Sequence, residues 1–175
     1  MPLSRPILPW AAATAAAFLL AAPLSRADDE TVPPPLAPAL AFHLGAAEIF
    51  DSDTHFAGWL DYEASRRYGP FVPLLRIGAA ARGETYAAFG AALPVPLFAG
   101  FSFRPSFTAG FYEQGGRRGV NLGFPIEFQT TLALAWSPAP SWRVDLSLAH
   151  VSNSRLARRN IGTELIALGL SVPLP

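Results

Sequence analysis

F-S-F-R-P-S-F-T-A-G-F-Y, residues 101–112, places Phe101, Phe103, Phe107 and Phe111 on one parity and Ser102, Arg104, Ser106 and Thr108 on the other. Successive side chains of a strand point to opposite faces, so this stretch has one greasy face and one small or polar face. Four phenylalanines on one side of a single strand suit lipid. Apolar outside and polar inside is the pattern of strands that cross a membrane as a barrel.

The same period of two runs through the chain on either side. Leu40, Phe42 and Leu44 share a face, as do Leu75, Ile77 and Ala79, then Phe89, Ala91, Leu93 and Val95, and later Phe128, Leu132, Leu134 and Trp136. Eight such segments are expected, at 39–50, 54–65, 71–82, 84–97, 99–112, 122–136, 141–152 and 163–174. An even number of strands of about 10 residues closes into a barrel without edges. The expected fold is all-β, an eight-stranded antiparallel transmembrane barrel of the outer membrane. A soluble β-sandwich is the alternative, since its half-buried strands alternate too. The second segment has the weakest pattern, because Trp59, Asp61 and Glu63 fall on one face. Trp59, Tyr62, Tyr68, Tyr86, Tyr112, Trp136 and Trp142 lie mostly near segment ends, where aromatic girdles are expected.

Composition supports an apolar environment: 51% of residues are hydrophobic, 15% are charged, and thirteen are phenylalanine. All thirteen basic residues are arginine and the net charge is zero, so no polybasic nucleic-acid footprint is present. Arg5 followed by an apolar run to Leu24 and the small residues Ser25 and Ala27 reads as a secretory signal peptide over 1–27, with a retained membrane anchor as the alternative. Residues 28–38 contain T-V-P-P-P-L-A-P, a Pro-rich leader that cannot be helical, and 39–175 form the barrel. With no cysteine, no disulfide framework holds an exported chain together.

If the N-terminal end starts in the periplasm, the connections around 51–54, 81–85, 114–122 and 153–162 lie outside, the last two being the longest. D-S-D-T at 51–54 reads as a turn rather than a cation site. At the outer end of the seventh segment, Trp142, Val144, Leu146 and Leu148 form a lipid-facing row that continues into His150 and Ser152. Glu164 shares the parity of Ile166, Leu168, Leu170 and Val172 in the next segment. Residues two apart on a strand lie about 6.6 Å apart on one face, so an imidazole can bend toward a hydroxyl while a carboxylate on the adjacent strand approaches its other nitrogen. That is a nucleophile, a base and an orienting acid.

H-V-S-N-S-R-L-A-R-R-N-I-G-T-E, residues 150–164, resembles the signature of the PagL-type lipid A 3-O-deacylases, a family with an eight-stranded outer-membrane barrel. His150, Ser152, Asn153, Asn160, Gly162 and Glu164 match in identity and spacing, and Phe128 matches a family phenylalanine. The chain departs from the pattern at Ser154, where alanine is usual, at Ile161, where proline is usual, and at Pro175, where such barrels commonly end on an aromatic residue. By resemblance, His150 is the base, Ser152 the nucleophile and Glu164 the orienting acid. An asparagine, Asn160 by preference with Asn153 and Gly162 in support, and nearby backbone N–H groups stabilise the oxyanion.

The resemblance implies a lipopolysaccharide substrate held among outer-membrane lipids, an active site facing the outer leaflet, no metal or organic cofactor, and scope for a homodimer. A turn centred near Ala139 would place Phe128 beside His150, as a bed for an acyl chain. Arg117, Arg118, Arg155, Arg158 and Arg159 fall in outer loops, where guanidinium groups suit the phosphates of lipid A. The alternatives are a non-catalytic structural or adhesive barrel and an outer-membrane phospholipase or acyltransferase.

Overall fold

The computed structural model describes residues 37–158 and 161–175. The expected signal segment, most of the Pro-rich leader, Arg159 and Asn160 lie outside these residues. The described chain is built of strands: β1 (Ala39–Ala47), β2 (His55–Glu63), β3 (Val72–Ala80), β4 (Thr85–Ala92), β5 (Val95–Pro96), β6 (Phe101–Glu113), β7 (Ile126–Ala139), β8 (Trp142–Ser152) and β9 (Thr163–Pro173). Each long strand pairs antiparallel with its neighbours, and β1 pairs with both β2 and β9, which closes the ring. β5 is no ninth stave. It continues β4 past Pro94, whose missing N–H interrupts the ladder, and both pieces pair with β6.

The exterior is apolar, as the parity of the sequence predicts. Phe89 is 70% exposed, Phe111 71% and Leu168 69%, surfaces that only hydrocarbon solvates well. Inside, His43, Asp61, Arg76 and Asp145 are all buried. The Arg76 guanidinium grips Asp61 through Nε and Nη2, each at 2.7 Å, and donates from Nη1 to Thr131 Oγ1 at 2.9 Å. His43 Nε2 lies 3.2 Å from Asp145 Oδ1. Nearby, Glu63 receives Arg104 at 2.8 Å and Arg143 at 2.6 Å. Opposite charges removed from water together are tolerated because each is paired and hydrogen-bonded. Gly169 makes room for this packing, since a Cβ there would collide with His43 and Asp145.

Two sequence expectations are corrected by this interior. Trp59 and Tyr86 are not girdle residues; both are buried within the barrel. Trp59 stacks on His43 with ring centroids 4.8 Å apart and takes Arg76 over its face. The weak pattern of the second segment has the same cause: Trp59, Asp61 and Glu63 share a face because that face is the lumen.

Four connections, 48–54, 81–84, 114–125 and 153–162, crowd one end of the barrel, hereafter the loop end. They are cross-tied. His55 Nε2 lies 3.1 Å from Glu84 Oε1, and the same oxygen accepts the Val120 N–H at 3.1 Å. Tyr112 donates to the Val120 carbonyl at 2.7 Å. At the opposite end the shortest turn is Pro140–Ser141, between β7 and β8.

Candidate active site

β8 and β9 bring His150 and Glu164 together at the loop end. Their register sets His150 directly opposite Glu164. Both side chains are on the lipid-facing parity and half-buried, and His150 Nδ1 lies 3.1 Å from Glu164 Oε1. A carboxylate only accepts, so Nδ1 carries the hydrogen and Nε2 is left as the basic nitrogen. Ser152 follows two residues along the same row and is buried, at 8% exposure. The rival carboxylate on β8, Asp145, is turned into the lumen and engaged with His43, which leaves Glu164 as the carboxylate on the imidazole's side of the wall.

Gly162 is explained by the ring beside it. A Cβ added there would clash with His150 Cε1 and stand 3.0 Å from Nε2, so only glycine lets the imidazole lie against the backbone of this loop. Asn153 is fully buried and acts on loop geometry. Its Oδ1 accepts the Arg155 N–H at 2.9 Å, its carbonyl accepts the Leu156 N–H at 2.9 Å, and its Nδ2 donates to the Leu122 carbonyl at 2.9 Å. Ser154 and Arg155 both have positive φ, 52° and 69°, so the chain leaves Ser152 through a tight left-handed turn stabilised by Asn153. Asn160, preferred by sequence for the oxyanion, lies outside the described residues, as does Arg159. Arg155 and Arg158 are exposed at the loop end, as are Arg117 and Arg118.

Phe128 is displaced from its expected neighbour. It pairs with Ser152, and Thr130 pairs with His150. The cause is at the turn: β7 runs on to Ala139, the reversal is made by Pro140 and Ser141, and a bulge intervenes between Trp136 and Ala139. The slip is of two residues, so the lipid-facing parity survives. Phe128 is half-buried and stacks on Phe107, with ring centroids 5.8 Å apart. Thr130 was not singled out by sequence; its signal is a hydroxyl in an otherwise apolar row.

Beside the site, Glu48 follows β1, and the next residue, Ile49, donates its N–H to the Glu164 carbonyl at 3.4 Å. Burial pushes the Glu48 carboxyl above its usual range, and the charges of Asp51 and Glu164 add to the rise. Among the described residues no group of three or more His, Cys, Asp or Glu could hold a metal ion.

The family model for lipid A 3-O-deacylase (PagL) matches residues 50–173, a span that includes Phe128, His150, Ser152, Asn153, Gly162 and Glu164. The chain belongs to the PagL family. Among solved structures, the PagL-family chain is similar to the crystal structure of the outer membrane enzyme PagL, with a TM-score of 0.57 and 18% identity over 78% of this chain and 99% of that one. It is also similar to a de novo designed transmembrane β-barrel, with a TM-score of 0.54 and 8% identity over 78% of this chain and 95% of the design. At such identities the likeness is one of fold: a closed barrel of the outer-membrane kind. Among curated proteins none matches.

Proposed function

We propose that this PagL-family chain is an outer-membrane esterase that hydrolyses the 3-O-linked acyl chain of lipid A, with its site toward the outer leaflet. The observation that carries the reading is the 3.1 Å approach of His150 Nδ1 to Glu164 on the lipid-facing wall, in the row that Ser152 continues. His150 Nε2 takes the Ser152 proton as Oγ attacks the ester carbonyl. Glu164 holds the imidazole in the required tautomer and stabilises its cation. By the family resemblance, Asn160 and nearby backbone N–H groups stabilise the developing oxyanion. The imidazolium then protonates the departing sugar oxygen, and water activated by His150 cleaves the acyl-serine to release the free acid.

An outward-facing triad makes sense for a substrate that already lies beside the barrel, because the acyl chain never has to leave hydrocarbon. Phe128, stacked on Phe107, offers that chain a bed next to Ser152. Arg155 and Arg158, with Arg159, supply guanidinium groups for the lipid A phosphates. The signal over 1–27 would deliver the chain across the inner membrane.

The test is mass spectrometry of lipid A from cells with and without the gene, in a host making hexa-acylated lipid A. The expected product is lighter by one 3-hydroxyacyl group, with the matching free acid released. Unchanged lipid A with folded protein in the outer membrane supports a structural or adhesive barrel instead. Altered phospholipid pools support a phospholipase or acyltransferase.

A further inference from the structure

The lipid-facing row of β7 runs Ile126, Phe128, Thr130, Leu132, Leu134 and Trp136. Thr130 is the one hydroxyl in it. Its neighbours along the strand, Gln129 and Thr131, are each only 3% exposed and face the lumen, so Thr130 faces outward, half-buried. Thr131 shows how such a hydroxyl is used inside the barrel, where Arg76 and Gln129 both donate to it. By contrast, among the described residues the Thr130 hydroxyl has no side-chain hydrogen bond. A hydroxyl without a partner is costly in hydrocarbon, so its position in the wall matters. It is flanked across the ladder by His150 on β8 and by Phe107 on β6.

We propose that Thr130 is a specificity-determining residue that hydrogen-bonds the hydroxyl on the third carbon of the scissile acyl chain, so that the site selects 3-hydroxyacyl esters over unsubstituted ones. The inference rests on the esterase reading above. An acyl chain whose carbonyl carbon is at Ser152 runs toward the membrane interior, along Leu148 and Leu146 on β8 and Leu132 and Leu134 on β7. Phe128 lies opposite Ser152, and Thr130 is two residues deeper, about 6.6 Å along the strand. The chain's 3-hydroxyl is two carbons past the carbonyl in the same direction. The reach of a threonine side chain and a hydrogen bond of about 2.8 Å span the remaining gap. Apart from His150, which is paired with Glu164, every side chain that the chain meets on its way inward is apolar, so an unsubstituted acyl group would leave Thr130 unpaired while a hydroxylated one satisfies it.

The experiment compares hydrolysis of two synthetic 3-O-acyl glucosamine phospholipids, one carrying a 3-hydroxymyristoyl and the other a myristoyl group, by refolded wild type, Thr130→Val and Thr130→Ser. Valine keeps the shape and suits lipid, so the barrel should fold normally, as heat-modifiable gel mobility will show. Wild type is expected to prefer the hydroxylated ester by about tenfold in kcat/KM, the worth of one net hydrogen bond. Thr130→Val should bring that ratio close to one by slowing the hydroxylated ester alone, and Thr130→Ser should keep the preference. If Thr130→Val retains the wild-type ratio, or slows both esters equally, the inference is overturned and the esterase reading stands. Equal wild-type rates on the two esters also overturn the inference alone. Folded wild type that cleaves neither ester overturns both.

Discussion

Asn153 donates its Nδ2 hydrogen to the Leu122 carbonyl at 2.9 Å, and this bond ties the loop that follows the candidate nucleophile to the loop over 114–125. Leu122 is itself almost fully buried, so water cannot replace the donor. Asn153→Asp keeps an acceptor for the Arg155 N–H but sets a carboxylate oxygen against the Leu122 oxygen. The expected cost is about 1–3 kcal/mol, that of leaving a buried acceptor unsatisfied. Limited proteolysis should then cut within 153–162 faster than in wild type, and protection equal to wild type would show that the tie does not hold the loop.

Gly162→Ala tests where the imidazole lies. The new methyl would occupy space held by the His150 ring and turn it away from Glu164. In the folded variant kcat should fall on the order of 10²-fold with KM little changed, because a misplacement of about 1 Å at a reacting group has that scale of effect. A wild-type kcat would place the working imidazole elsewhere.

The two carboxylates of the β8–β9 wall should separate cleanly. Glu164→Gln keeps shape and loses charge, and a loss on the order of 10²–10⁴-fold in kcat is expected, smaller than that of Ser152→Ala, to which it should add almost nothing. Asp145→Asn should leave the pH–rate profile unchanged and lower the urea midpoint of unfolding instead, since Asp145 serves His43 in the lumen. A shifted pH–rate profile in Asp145→Asn would contradict the division of labour.

Glu48 gives a pH-dependent stability. Because burial raises its folded value, the folded protein holds this proton more tightly than the unfolded chain does. Its contribution therefore weakens the fold as pH rises from about 4.5, the unfolded value, through the folded value, and the cost is fully present above that. Glu48→Gln should unfold at higher urea than wild type near neutrality and match it below about pH 4.5. A difference of the same size at both pH values would indicate a packing effect rather than titration.

Period-two alternation carried the barrel, because in a wall one residue thick each side chain meets either lipid or lumen, and chemistry sorts them. The outward parity of His150, Ser152 and Glu164 was legible for the same reason, as polar groups in otherwise apolar rows. Pairing register was less so: the bulge near Trp136 and the reversal at Pro140 leave no mark in the alternation, so Phe128 was expected two residues away from its true neighbour. Trp59 was misplaced because an aromatic ring suits both a girdle and a lumen. Its parity with Asp61 was the better guide, as a carboxylate cannot face hydrocarbon unpaired. The His43–Asp145 contact joins residues 102 positions apart and has no local signature at all. Thr130 was passed over because threonine is small and common in strands, and only the register sets it beside His150.

The ion pairs that fill the lumen also have an electrical consequence. With Arg76 clamped to Asp61, and Arg104 and Arg143 both drawn onto Glu63, these charges are spent on one another and cannot replace the hydration shell of a passing ion. A planar bilayer holding this protein should therefore remain silent under an applied voltage. In the hydrolysis proposed above, water would then come from the aqueous side above the loops, and a site on the outer wall would have no use for a pore.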